Sequence, residues 1–157
     1  MLRELEEWLE GEGASLADRV RDVSEFLDAA GLRPPEGRVE SRVCYDDPCH
    51  LVHGQRVDAA PRRLLEQIPG IKLQAHDDPA GCCGAAGIYN LTHRAMSRAV
   101  LERKMQSLRA ADPDYVATGN PGCLMQLRSG VAAGMRAAVV HPIELLDRAY
   151  TPRAVEP

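Results

Sequence analysis

Cys82 and Cys83 stand side by side between Gly81 and Gly84. A disulfide between neighbours is strained, because a bridge needs well-separated Cα atoms and particular dihedrals. Glycine on either side admits backbone conformations that other residues resist, so both sulfurs can face one object. A metal centre suits that arrangement best. Three further cysteines, Cys44, Cys49 and Cys123, complete the set. The segment Met1-Leu2-Arg3-Glu4-Leu5-Glu6-Glu7 is acidic and has no apolar secretory core, so a cytoplasmic location is expected. In a reducing compartment five cysteines point to metal binding or catalysis before a disulfide framework.

The elements that must position these thiols follow from periodicity. The chain has 157 residues, 45% apolar and 27% charged, the size and composition of one ordinary globular domain. A net charge of -4 gives no basic face for nucleic acid, and aromatics at 4% give no stacking platform. Residues 1–30 read as two helices, with Ser15 as the N-cap of one whose apolar positions are Leu16, Val20, Val23, Phe26 and Leu27. Gly31 stops it, and Pro34-Pro35-Glu36-Gly37 is a linker. The alternating stretch 39–45 predicts a strand that ends in the turn Asp46-Asp47-Pro48. A short helix over 61–67 precedes a second strand through Ile71, Leu73 and Ala75. A long helix is expected over 91–110, with a stripe of Leu91, Ala95 and Ala99 widened by Leu101, Met105 and Leu108. Residues 115–118 and 137–140 read as further strands, and a last helix over 143–149 follows Pro142.

Strands alternating with helices imply an α/β fold: a small parallel sheet with helices on both faces, preceded by an N-terminal helical segment. The expected division is a helical lead-in and linker over 1–37, a cysteine-rich domain over 38–150 and a loose tail over 151–157. Ligands of such sheets bind at the loops after the strands' carboxyl ends. Cys49 follows the first strand, Cys82 and Cys83 the second, and Cys123 the loop Gly119-Asn120-Pro121-Gly122 after the third. Four thiols distant in sequence thus open on one edge. Four thiolates suit either zinc or an iron–sulfur cluster.

That spacing resembles the cysteine-rich CCG domain of heterodisulfide reductase and its relatives. Within them it is most similar to the C-terminal CCG domain of the glycolate oxidase (glycolate dehydrogenase) iron–sulfur subunit. The resemblance is carried by Asp46-Asp47-Pro48-Cys49-His50-Leu51, by Cys82-Cys83-Gly84-Ala85-Ala86-Gly87-Ile88-Tyr89-Asn90, by Thr118-Gly119-Asn120-Pro121-Gly122-Cys123 and by His141-Pro142-Ile143-Glu144-Leu145-Leu146-Asp147. It implies that Cys49, Cys82, Cys83 and Cys123 hold one [4Fe–4S] cluster. The family pattern ends in C-x-x-C, and Asn120 stands where its first cysteine would be, so a five-thiolate cluster is not expected. A separate flavin-containing dehydrogenase subunit would oxidise glycolate or a related 2-hydroxy acid. Electrons would pass through this chain, docked to a ferredoxin-like half with the first CCG domain, towards a membrane quinone. This chain would then be a fragment or a split subunit, cytoplasmic or peripheral to the inner membrane face. No catalytic residue is assigned. The alternatives are a zinc-binding (Zn2+) assembly module and thiol–disulfide chemistry at Cys82-Cys83.

Near the cysteines, His50, Asn120 and His141 are candidates for contacts behind the ligands, Asn120 first as a cap for the next turn. Cys44, inside a strand, is expected to be a small buried hydrophobe. Asp46 and Asp47 read as turn formers before proton relays. His53, His76 and His93 are expected at the surface, and Arg94, Arg98, Arg103 and Arg109 on a solvated face.

Overall fold

The computed structural model of the chain describes residue 16 and residues 18–151. The cap expected at Ser15, the helix expected over 1–15 and the tail 152–157 lie outside the described residues. Leu16 is helical, residues 18–22 are not, and the helix that follows, α1, is Val23–Ala30, so the apolar spacing from Leu16 to Leu27 does not run through one continuous helix. Its start is set by Asp22: the Asp22 carboxylate accepts from Ser24 N–H, and Asp22 N–H donates to Glu25, a capping box.

The strands are β1 (Ser41–Tyr45), β2 (Ile71–Gln74), β3 (Tyr115–Ala117) and β4 (Ala138–Val140). They form one all-parallel sheet in the order β2-β1-β3-β4. The connections are a π-helical turn (His50–Gly54), α2 (Ala59–Glu66), α3 (Tyr89–Thr92), α4 (Arg94–Ala111), α5 (Pro121–Ala132) and, after β4, α6 (Pro142–Tyr150). The α/β sheet with helices on both faces is therefore present.

Side chains alternate across a strand, and here the alternation sorts two cores. Cys44, Val116 and Val139 face one side, where they meet Met105 and Leu108 of α4 and Leu127 of α5. Val43, Tyr45, Ala117 and Val140 face the other, against Leu65 of α2 and Leu145, Leu146 and Ala149 of α6. Leu27 joins that second core, and Asp28 pairs with Arg63, so α1 packs on its own domain.

The alternation continues past β1. Asp46 points to the α4 side and meets Lys104, whereas Asp47 points to the α2 side and meets Arg62 in a two-pronged pair of 2.6 and 2.7 Å. The two aspartates are thus more than turn formers. Each ties the end of the central strand to a helix on a different face.

Two expectations about helices need correcting. The stretch from Leu91 breaks at His93: a short α3 precedes α4, and Leu91, Ala95 and Ala99 are exposed. The inward face of α4 runs Ser97, Leu101, Lys104, Met105 and Leu108. A stripe built from apolar residues alone misses it, because Ser97 and Lys104 are buried with polar partners. Arg94 and Arg98 do lie on the exposed face. Second, Cys123 is not in a loop. Asn120 caps α5 and Pro121 occupies its first position, where a missing N–H costs nothing, so the segment that reads as a turn is a helix start.

Candidate metal centre

The carboxyl edge of the sheet carries the four thiols, each held by a different local device. Cys49 precedes the π-helical turn after β1 and is exposed. Cys82 is exposed, and its Sγ accepts from Gly84 N–H at 3.3 Å. Cys83 and Cys123 are buried, and their sulfurs meet at 3.0 Å. Cys44 is fully buried in the core, as its place inside β1 implied, and burial pushes its thiol up.

Gly84 explains the conformation of the double-cysteine loop. Its φ is +87°, and a Cβ there would stand 2.5 Å from the carbonyl oxygen of Ser97 on α4. In return Ser97 Oγ donates to Gly84 O at 2.8 Å, and Gln126 of α5 donates to Ser97 Oγ at 2.9 Å. The loop is pressed onto the crossing of the two helices. Gly81 lies outside the left-handed region, and the nearest atoms to its added Cβ belong to the rotatable carboxylate of Asp78, so just one of the two flanking glycines is conformationally required.

Cys123 sits in the first turn of α5, its N–H bonded to Asn120 Oδ1 at 3.0 Å. Asn120 Nδ2 in turn donates to His50 Nδ1 at 3.2 Å. Asn120 therefore links the turn after Cys49 to the helix that carries Cys123, a capping and bridging role. Asn120→Ala is expected to lower stability by about 1 kcal/mol and to speed alkylation of Cys123; urea unfolding and timed thiol labelling check both. His141 also acts as a cap: its Nδ1 accepts from Ile143 N–H and its backbone N–H donates to Glu144 at the start of α6. Burial lowers its imidazole. His53 and His93 are exposed.

A hydrogen bond at 3.0 Å joins the Cys83 and Cys123 sulfurs. That hydrogen bond is the main reason the Cys83 thiol is lowered, while the Cys123 thiol is raised by the same bond and by burial. Burial likewise raises Cys82. Cys123 stands at the positive end of the α5 helix dipole, which favours a negative charge there.

Behind the pair lies a cluster that includes His76, expected at the surface. His76 is 6% exposed, Asp46 1% and Lys104 0%. Lys104 Nζ stands 2.7 Å from Asp46 Oδ1 and donates to the carbonyl of Asp78. His76 Nε2 stands 3.7 Å from the same Asp46 oxygen, and its Nδ1 faces Ser107 Oγ at 3.0 Å. Burial pushes Asp46 up to about 7 against the pull of Lys104, and pushes His76 down to about 4. Helix arithmetic holds the one signal available in advance: Ser97, Leu101, Lys104 and Leu108 share a face at i, i+4, i+7 and i+11.

The donor set fits a thiophilic centre: four thiols from two loops and the first turn of α5, two buried and two open to an incoming group. Two bonds of about 2.3 Å to one tetrahedral ion hold their sulfurs about 3.8 Å apart, so Cys83 and Cys123 must part slightly to share one. Among the described residues no three histidine, cysteine or acidic side chains already stand together as a metal-binding group. To hold one group with all four thiols, Cys49 and Cys82 would have to turn towards the pair. Cys49 acts electrostatically on Cys82 and on Cys123.

Fold and site together define a thiol-rich parallel α/β domain whose chemistry lies at the carboxyl edge of its sheet. The chain belongs to the CCG cysteine-rich domain family, whose model matches residues 43–128. It is 34% identical to the glycolate oxidase iron–sulfur subunit of Escherichia coli over 87% of this chain and 34% of that protein. The probable glycolate oxidase iron–sulfur subunit of Bacillus subtilis is 31% identical over 94% of this chain and 33% of its own length. Lactate utilization protein A of Oceanobacillus iheyensis is 28% identical over 84% of this chain and 55% of its own length. The chain spans about a third of the length of the first two of these relatives. Among the described residues no helix is long and apolar enough to cross a membrane.

Proposed function

We propose that the chain is an iron–sulfur electron-transfer domain in which Cys49, Cys82, Cys83 and Cys123 hold one [4Fe–4S] cluster. The observation that carries this reading is the gathering of four thiols on one sheet edge, two of them already touching, in a chain similar to iron–sulfur subunits. The cluster would supply one-electron storage. The chain's own residues set distance and environment: Gly84 and Ser97 fix the loop of Cys82 and Cys83, Asn120 orients Cys123, and burial of Cys83 and Cys123 shields that side from water. The reading places the domain in a flavin-dependent 2-hydroxy acid (glycolate or lactate) dehydrogenase complex. There it takes electrons from a flavin-containing subunit, docks to a ferredoxin-like half with a further CCG domain, and passes them towards a membrane quinone. Oxidation of the substrate belongs to the flavin subunit.

A second reading, zinc held for assembly, draws on one observation. Two sulfurs at 3.0 Å need less opening to share a single ion than to bind different irons of a cluster. Thiol–disulfide chemistry at Cys82-Cys83 finds less support, since the Cys83 sulfur turns to Cys123.

Iron, zinc and acid-labile sulfide are to be measured on anaerobically purified chain, with the visible spectrum alongside. Iron and sulfide at about four each per chain are expected, with brown charge-transfer absorption. Zinc at about one per chain without sulfide would replace this reading with the second. Cys83→Ser and Cys123→Ser should each remove the chromophore, whereas Cys44→Ser should leave it in place.

A further inference from the structure

The cluster of Asp46, His76 and Lys104 lies outside the thiol set, yet its charges act on it: Lys104 lowers both Cys82 and Cys83, and Asp46 raises Cys123. A buried ion pair is weak evidence for stability, because the cost of desolvating two charges offsets their attraction. Its retention next to a charge-changing centre invites another explanation. One Asp46 oxygen contacts Lys104, and the other has no hydrogen-bond partner although it is buried. His76 Nε2 is also buried and unpartnered, 3.7 Å from Asp46. Ser107 Oγ already accepts from Asp78 N–H, so its own proton is free for His76 Nδ1, which leaves the imidazole proton on Nε2, facing Asp46. On its other side His76 lines a cavity of about 180 Å³ together with Gln74, Pro79, Tyr45 and Arg62. Arg62 is partly exposed, so the cavity gives the buried cluster a path to solvent.

We propose that Asp46 is a redox-linked proton site, taking up one proton through His76 when one electron arrives at the neighbouring thiol-held centre. The inference rests on the iron–sulfur reading. The electron comes from a reduced flavin or, in vitro, from dithionite, and stays on the centre. The proton comes from solvent by way of the cavity and neutralises the Asp46 carboxylate. Lys104, released from its partner, then balances the negative charge added beside Cys83. Net charge inside the domain is unchanged, which avoids the cost of an uncompensated buried charge. The groups that face Asp46 and His76 are Lys104 and Ser107 from α4, Asp47 after β1, Asp78 from the loop after β2, and the thiols of Cys44, Cys83 and Cys123. Across the cavity His76 also faces Tyr45 and Arg62; Arg62 is paired with Asp47, so Lys104 is the cation that contacts Asp46.

The test is a mediated redox titration of the anaerobically reconstituted full chain between about pH 6 and pH 8.5, after iron and sulfide have been measured, with infrared difference spectra of the same samples. The midpoint potential is expected to be flat on the acid side of about 7, where Asp46 already holds its proton, and to fall by one proton per electron above it. Reduction above that point should bring up a protonated-carboxyl band. Asp46→Asn combined with Lys104→Met removes both charges of the pair, an exchange that cores tolerate. It should give a pH-independent potential and no such band. Iron-loaded wild type with a flat potential and no carboxyl band would overturn the proton site and leave the cluster reading intact. So would a double variant that keeps the slope. A chain that binds zinc and no iron overturns the cluster reading and the proton site with it.

Discussion

Lys104→Met is expected to cost the metal-free fold about 3–5 kcal/mol near pH 8, the range for removing one partner of a buried ion pair. Lys104 is fully buried, pairs with Asp46 and donates to the carbonyl of Asp78, so its loss orphans a carboxylate and a carbonyl together, while the Pro79 carbonyl keeps its bond from Asp47 N–H. The sign of the pH dependence follows from Asp46. Its folded value is raised from 3.8 to about 7, so its contribution to stability is full below 3.8 and is lost as pH rises through the folded value. Removing Lys104 removes an influence that lowers Asp46, so the folded value climbs further. The penalty therefore peaks on the alkaline side and shrinks as acid protonates the orphan. His76 has the opposite sign: lowered from 6.5 to about 4, it contributes stability above 6.5 that is lost as pH falls through 4. Urea midpoints of wild type and variant are to be compared at pH 8 and pH 5, the latter still above the folded value of His76. The gap between the two proteins should narrow at pH 5. A gap that is small at pH 8, or equal at both, would show that Lys104 and Asp46 do not act as a buried pair.

Gly84→Ala should damage both the fold and the site, whereas Gly81→Ala should damage neither greatly. At Gly84 a side chain meets two penalties: about 1–2 kcal/mol for a positive φ, and about 1–3 kcal/mol of overpacking where its Cβ would stand 2.5 Å from the Ser97 carbonyl. That carbonyl belongs to the backbone of α4 and cannot swing aside, so the loop must lift. Lifting it breaks the Ser97 Oγ bond to Gly84 and moves Cys83 away from Cys123. At Gly81 the clash is with the end of the Asp78 side chain, which can rotate. Iron or zinc retained after gel filtration, read beside the thermal midpoint of each variant, separates the two positions. Equal behaviour of the two alanine variants would remove the special role given to Gly84.

Much of this site is legible in the residues because its logic is local. Strands over 41–45, 71–74 and 115–117 can be read from alternation and from the turns that end them, and parallel connection then brings their following loops to one edge. That rule places Cys49, Cys82, Cys83 and Cys123. The start of α5 is harder to read, because Pro121 and Gly122 look like a turn until Asn120 is recognised as its cap. The register of α4 is harder still, because a lone Lys104 or Ser97 carries no sign of being buried.

The amino-acid sequence by itself determined the α/β architecture, the edge on which the thiols lie and the family to which the chain belongs, since each depends on spacing along one stretch of chain. Tertiary structure alone decided which thiols touch, which glycine is indispensable, and that Asp46, His76 and Lys104 share a buried cluster. The physical reason is that a charged residue defaults to the surface unless a partner far along the chain offsets its desolvation. That partner is found only once β1, the exit of β2 and α4 have been packed together.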